Sequence, residues 1–331
     1  AVLNEPSCSV SLWQPVLYRF QILPEKYGGA ATDFNTQNQF FAATAGVDRT
    51  AAMVSANLTA EGVTPSADTI VPQDVTVALK QYGVLYAVSD RTVDLYEDDV
   101  PMEMKKQVGE RVALVREMVR FGELKGGTNK YYGGSGNSRA TVNGKLTLNI
   151  LRKISRNLQA NHAKRITSIL APSPNFATAP VEASYLVFCH SDCEANIRDL
   201  PGFKHVSEYG SRKPVNEYEV GSVENFRFIT SPELVPVLGA NGVTNAVGST
   251  GLQATSTYVD VYQVIVAAED AWGQVALRGM DSIDVTYIAP GQKDKNDPLG
   301  QRGYIGGKFY MNCVVLNSGW AALVEVGAGA L

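Results

Sequence analysis

From Pro101 onward apolar residues recur at helical spacing, with Met104, Val108, Val112, Val115 and Val119 standing four, four, three and four residues apart. This stripe predicts one long amphipathic helix that opens on a proline, a residue suited to a first turn, and ends near Gly126-Gly127. About 24 residues of helix span about 36 Å. Leu146, Ile150, Leu151, Ile154 and Leu158 predict a second helix, with Arg152, Lys153 and Arg156 facing outward, packed against the first as a platform. Upstream the period changes from helical to alternating. Val75, Val77 and Leu79 alternate with Thr76, Ala78 and Lys80 before the run Val84-Leu-Tyr-Ala-Val88, a strand pattern. Residues 58–73, with Glu61, Gly62, Pro65 and Asp68, read as the turn-rich tip of a long hairpin. An isolated hairpin is marginally stable in water, so this one must pack on its own domain or on a neighbouring subunit.

Residues 1–49 read as an irregular arm, because Pro6, Pro15 and Pro24 interrupt any long element. Trp13, Leu17, Tyr18, Phe20 and Ile22 make the arm apolar enough to need a surface, either its own domain or a neighbour. The glycine-rich stretch 126–144 reads as a flexible surface turn; it lacks the Gly-Lys-Ser/Thr order of a phosphate loop. After Pro172 and Pro174 the pattern becomes α/β in small pieces. A strand is expected at 184–188, a helix at 191–200 capped by Ser191 or Asp192 and stopped by Pro201-Gly202, and a strand at 226–229. Residues 239–251 form a loop without periodicity, and 259–267, 283–288 and 304–316 are strand-like. A charged turn, residues 290–298, joins the last two. Gly83, Gly126-Gly127 and Gly279 fall between expected rigid elements and are candidate hinges or ordinary turn glycines.

The charge balance narrows the picture little. In 331 residues, 29 Lys and Arg stand against 33 Asp and Glu, a net of -4, without the overall cationic excess of a nucleic-acid binder. Cys8, Cys189, Cys193 and Cys313 are too few and too scattered for a disulfide framework and read as reduced thiols. No apolar run approaches the roughly 20 residues of a membrane span, and the first residues lack the pattern of a signal peptide.

Candidate chemistry is sparse. Three histidines, His162, His190 and His205, are present. Cys189-His190-Ser-Asp192-Cys193 has ligand-like spacing but no second pair to complete a zinc site. There is no Gly-x-Ser-x-Gly elbow, and the acidic trio Glu97-Asp98-Asp99 suits a helix N-terminus better than acid–base catalysis. No catalytic, metal or cofactor-binding residue is therefore assigned. A carboxylate-dependent hydrolase on an α+β scaffold remains the alternative that composition permits.

The C-terminal quarter carries a specific signal. Asp260-Val-Tyr262, Ala271-Trp-Gly273, Asp297-Pro-Leu-Gly-Gln-Arg-Gly303, Gly307-Lys308 and Val314-Val-Leu-Asn317 resemble, in order and spacing, the signature of the major capsid proteins of tailed phages typified by coliphage N-four. Weaker resemblance runs through Glu61-Gly62, Gln81-Tyr-Gly83, Ser89-Asp90, His190 and Arg198-Asp-Leu200; Trp272 and Gly306 depart mildly from the pattern. The resemblance implies an α+β fold of the Hong Kong 97 phage type. Its parts would be an N-terminal arm (1–49), an extended hairpin loop (50–96), a spine helix opening the peripheral domain (97–165), an axial domain (166–256) and returning peripheral strands (257–331). It implies a structural, non-enzymatic shell subunit whose partner is itself, in hexamers and pentamers, together with portal, scaffold and decoration proteins. Such a shell belongs to the virion, encloses DNA without sequence-specific binding, needs no cofactor and contacts no membrane. The expected subunit contacts are Glu61, Asp68, Lys80, Lys293, Asp294, Lys295, Asp297 and Arg302, on the hairpin and on the charged turn.

Overall fold

The computed structural model describes residues 17–22, 73–166, 183–209, 214–239, 251–255, 257–277, 283–293 and 297–330. Contacts divide the chain into two units, Ala1–Ala78 and Leu79–Leu331. In the first, β1 (Leu17–Ile22) pairs antiparallel with β2 (Gln73–Ala78), Leu17 facing Ala78 and Ile22 facing Gln73. β1 lies in the stretch expected to be irregular. Prolines bracket it, but its Leu-Tyr-Arg-Phe-Gln-Ile run is rich in residues that favour extended backbone. Except for Gln73, the expected tip at 58–73 lies outside the described residues.

The second unit begins with β3 (Lys80–Ser89), the short α1 (Asp90–Leu95) and the long α2 (Val100–Leu124). β4 (Lys130–Tyr132), α3 (Leu148–Ala160), β5 (Tyr185–Cys189), α4 (Glu194–Arg198), β6 (Lys204–His205), β7 (Glu219–Val223) and β8 (Phe226–Thr230) follow. The described remainder is strand and loop: β9 (Ala254–Thr255), β10 (Tyr258–Val259), β11 (Tyr262–Ala267), β12 (Trp272–Ala276), β13 (Asp284–Ile288), β14 (Arg302–Val315) and β15 (Ala321–Val326).

β14 is the axis of a four-stranded sheet. β3 runs along one edge from Ser89 opposite Arg302 to Lys80 opposite Met311. The other edge takes β13 against 304–308 and β12 against 311–315, one after the other. α2 lies on this sheet. Its buried Val108 and Val112 meet Val84, Ile305, Phe309, Met311 and Cys313, with Met104, Val115 and Val119 packed around them. The sequence stripe is therefore the packing face, and Gly307 explains how close the helix sits. A Cβ there would lie 3.3–3.4 Å from Ile283, Val108 and Val112, so the bare glycine leaves room for both valines. Asp99 starts α2 by accepting a hydrogen bond from the Met102 amide at 3.2 Å. Gly83 is an ordinary residue within β3, not a hinge, and Gly279 lies outside the described residues.

The second sheet has seven strands in the order β4-β15-β11-β5-β8-β7-β6. All six residues of β11 and all six of β15 are buried, so neither strand shows the one-sided alternation of an exposed sheet. β11, expected as a strand, and β15, which was not, both fall in the span 257–331 given to the returning peripheral strands, and they pair here alongside β5. Phe121 and Leu124, at the end of α2, pack with Leu234, Ile265 and Leu323 of this second core. Trp272 packs against both cores and links them.

α3 is not a platform on α2; the two share no substantial contact. Its Asn157 donates to Asn129 Oδ1 at 3.1 Å and Tyr131 Oη at 2.7 Å, and the Trp320 indole donates to Asn161 O at 2.8 Å. α3 is thereby fixed to the β4–β15 end of the seven-stranded sheet, because the apolar face of α2 is already occupied by β3 and β14. The expected helix at 191–200 is also revised. A 3-10 turn over Ser191–Cys193 precedes α4, and His190 caps it, its Nδ1 accepting from the Asp192 amide at 3.1 Å.

The glycine-rich stretch is not a loose turn. Gly133 donates to Glu325 O at 2.7 Å, and Gly327 donates to Gly144 O at 3.0 Å. A Cβ on Gly133 would sit 2.3 Å from Gly144 O, and one on Gly136 would sit 2.3 Å from Thr141 O. These glycines let two backbone segments touch. Arg139, at the turn between them, donates to Glu325 through Nε at 3.0 Å and Nη2 at 2.5 Å, and Gln263 reaches the same carboxylate oxygen at 3.3 Å. The side chain of Glu325 is 2% exposed, so this pairing neutralises an otherwise isolated buried charge.

Candidate assembly surfaces

The turn between β13 and β14 carries five of the expected contact residues, of which Lys293, Asp297 and Arg302 are described, and its internal bonding shows what Asp297 does. Asp297 Oδ2 accepts from the Arg302 amide at 2.8 Å, while Gly300 donates to Asp297 O at 3.1 Å and Gly291 donates to Gly300 O at 2.7 Å. Gly291 and Gly300 both adopt positive φ, 99° and 69°, where a side chain would be strained. A Cβ on Gly303 would meet Pro290, Ile288 O and Val88 at 2.7–2.9 Å. The motif Asp297-Pro-Leu-Gly-Gln-Arg-Gly303 is thus the internal architecture of one tight turn, joined to α1 by the Asp90 amide on Gln301 O at 3.0 Å.

Asp297 is consequently engaged with its own turn, whereas Lys293 and Arg302 expose their side chains. Asp294 and Lys295, on the same turn, lie outside the described residues, as do Glu61 and Asp68. Lys80 is exposed but stands at the far end of the β3–β14 ladder from Arg302, about 30 Å away at about 3.3 Å per residue. Two separate surfaces are therefore present. The sequence reading overlooked Leu299, which is 71% exposed at the apex of the turn. A single leucine in a polar turn has no periodicity to mark it; only its exposure in the folded chain does.

Other large apolar side chains are also exposed. Leu85 and Ile288 lie on the sheet face away from α2, while Leu95, Tyr96 and Met102 cluster around the start of α2 beside Asp98 and Asp99. β13 is exposed along its whole length, with Val285 and Tyr287 facing the α2 side. Lys105 covers the Tyr287 ring at 4.5 Å, and Asp284 pairs across the strands with Lys308 at 3.1 Å. Exposed apolar residues with polar neighbours are the usual makings of a protein–protein contact.

The remaining motif residues hold loops in place. Asp260 accepts from the Gly239 amide at 2.8 Å and the Thr255 hydroxyl at 2.9 Å, and so fixes both flanks of residues 240–250. The Tyr262 hydroxyl donates to Asp192 at 2.8 Å and meets the side-chain amide of Gln253. Ala271 O accepts from the Leu316 amide at 3.0 Å. Burial pushes the Cys193 thiol up to about 12 and the Cys313 thiol up to about 11, and raises Cys189 as well. All three are therefore protonated at neutral pH, which removes the thiolate that a nucleophile or a metal ligand requires. Among the described residues no group of three or more His, Cys, Asp and Glu is arranged to hold a metal, and no helix is long and apolar enough to cross a membrane.

No family model matches the chain. The major capsid protein of Pseudomonas phage KPP21 is 20% identical to it over 266 residues, covering 75% of this chain and 66% of that protein, just under two thirds of its length. The capsid structure of Helicobacter pylori bacteriophage KHP30 superposes with a TM-score of 0.56 and 11% identity, covering 96% of this chain and 85% of the other. The head structure of Helicobacter pylori bacteriophage KHP40 gives 0.55 and 12%, covering 97% and 86%. The fold is the Hong Kong 97-type α+β fold of phage capsids.

Proposed function

We propose that this chain is the major capsid subunit of a tailed phage of the kind typified by coliphage N-four. It assembles with copies of itself into the pentamers and hexamers of an icosahedral shell around double-stranded DNA, and its place is the virion. The observation that carries this reading is the match of fold to phage head and capsid chains over 96–97% of this chain. The capsid relative and the C-terminal motif support it. Nothing among the described residues or in the comparisons favours the hydrolase alternative.

In this reading the extended loop (50–96) reaches over a neighbouring subunit, residues 166–256 lie near the capsomer centre, and the β13–β14 turn meets an adjacent copy through Lys293, Arg302 and Leu299. Portal, scaffold and decoration proteins are the further partners such a shell would take. Negative-stain microscopy of the expressed chain tests the reading, with closed shells, tubes or hexameric sheets expected. A small uniform particle under all conditions refutes it. Deleting residues 60–72 and closing the gap with a short Gly-Ser turn should preserve helix content by circular dichroism yet abolish closed shells.

A further inference from the structure

The charge of this chain is unevenly distributed. Residues 124–181 hold nine of the 29 basic residues and none of the 33 acidic ones, which leaves the rest of the chain with 20 against 33, a net of -13. A cationic segment in an otherwise acidic protein calls for a physical explanation, and the structure places five of these residues, Lys145, Arg152, Lys153, Arg156 and Lys164, on α3 or beside its ends. Lys153 and Arg156 lie on the exposed side of α3, opposite the buried Ile150, Leu151, Ile154 and Leu158. Lys145 precedes the helix and Lys164 follows it, both exposed. At 13 residues α3 carries this stripe over about 20 Å.

Among the described residues Lys145, Lys153, Arg156 and Lys164 have no ion pair, although the protein has carboxylates in excess. Two carboxylates border the stripe. Glu224 is held by Arg152 at 2.6 Å, and Asp199 lines a cleft with Lys145 at the start of α3.

The same surface has no apolar anchor. Its exposed positions on α3 are Asn149, Arg152, Lys153, Arg156, Gln159 and Ala160, and none of the large exposed hydrophobic residues falls between 124 and 166. Protein–protein contacts are built on buried aromatic and aliphatic anchors and are depleted in lysine. A polyanion makes the opposite demand: flexible cations at intervals, with no requirement for an apolar pocket. We infer that the α3 face, centred on Lys153 and Arg156 with Lys145 and Lys164 at its ends, is a phosphate-contacting surface that lines the shell interior and meets double-stranded DNA without reading its sequence. This rests on the shell-subunit reading, and it fixes which side of the subunit faces the lumen.

The test uses the full-length chain before assembly, a short random-sequence DNA duplex as probe, and the variant K153Q/R156Q. If about four phosphates are engaged, log affinity should fall with log salt at a slope of about -3.6. The variant should lose roughly tenfold or more in affinity and about 2 units of that slope, while forming shells as well as wild type. Closed wild-type shells should bind the external duplex much less than the unassembled chain does. An unchanged affinity in the variant, equal binding by closed shells, or a flat salt dependence of the wild-type chain overturns the inference. Loss of shells in the variant without DNA present also overturns it, because the face would then be occupied by an acidic surface of a second copy. Failure of the wild-type chain to assemble would instead refute the proposed function and leave the salt slope to judge the phosphate surface alone.

Discussion

Replacing Gly133 by alanine should be far more damaging than the smallness of the change suggests, because the residue is buried against backbone. The new Cβ would sit 2.3 Å from Gly144 O and 3.2 Å from the Val326 Cα, both backbone atoms that no rotamer change can move away. Restoring ordinary contact requires the two segments to separate by about 1 Å, which strains the Gly133-to-Glu325 and Gly327-to-Gly144 hydrogen bonds, now 2.7 and 3.0 Å. With about 1 kcal/mol for each of the two weakened bonds and about 1–3 kcal/mol for overpacking, the cost is about 3–5 kcal/mol. At about 2–4 °C per kcal/mol for a unit of this size, the melting temperature of the unassembled protein should fall by about 6–20 °C. Gly83→Ala is the control. It sits within β3 with nothing within 4 Å of its Cβ position, so it should be neutral or stabilising by up to about 1 kcal/mol. Thermal melts followed by circular dichroism measure both. A Gly133→Ala protein melting within 2 °C of wild type, or a Gly83→Ala protein falling equally far, would refute the argument that these loop glycines are contact residues.

Three further outcomes are expected. Val112→Ala removes two methyl groups from a fully buried site beneath α2 and should cost about 2 kcal/mol by chemical denaturation, well above the effect of the partly buried Val115→Ala. Leu299→Ser should leave the melting temperature unchanged but lower the yield of closed shells by microscopy, since the side chain is 71% exposed at a proposed contact; an unchanged yield would exclude Leu299 from the interface. Cys193, raised from 9.0 to about 12 in the folded chain, contributes stability that is complete below pH 9 and lost as the pH rises toward 12. Melting temperature should therefore fall above pH 9, and Cys193→Ser should flatten that fall, while the native thiol should react with iodoacetamide only after unfolding.

What the sequence disclosed follows from what leaves a periodic trace. Val108 and Val112 recur at helical spacing because one face of α2 is packed and the other is wet, so both the helix and its buried face were legible. β15 was invisible because Ala-Ala-Leu-Val-Glu-Val is buried on both sides and does not alternate. The tight glycine loop was misread because composition cannot distinguish a glycine that permits a turn from one that permits contact; only the proximity of Gly133 to Gly144, set by β15, makes that distinction. Asp297 was read as a charge for a neighbour because its actual partner is a backbone amide, and amides leave no trace in a sequence of side chains. The partnership of β1 with β2 was hidden by the long stretch between them.

The pairing of β3 with β14 bears on when the chain can finish folding. Lys80 to Ser89 emerge from the ribosome early, yet their hydrogen-bonding partner, Arg302 to Met311, is made more than two hundred residues later. β4 likewise waits for Leu323 to Glu325. Such long-range pairing delays folding until the distant strands exist. At synthesis rates of about 5–20 residues per second, the α2 valines stay without their sheet for some ten seconds or longer. A nascent chain therefore presents neither finished sheet until its last strands are made. In the proposed reading as a shell subunit, strand order alone would keep synthesis and assembly apart in time.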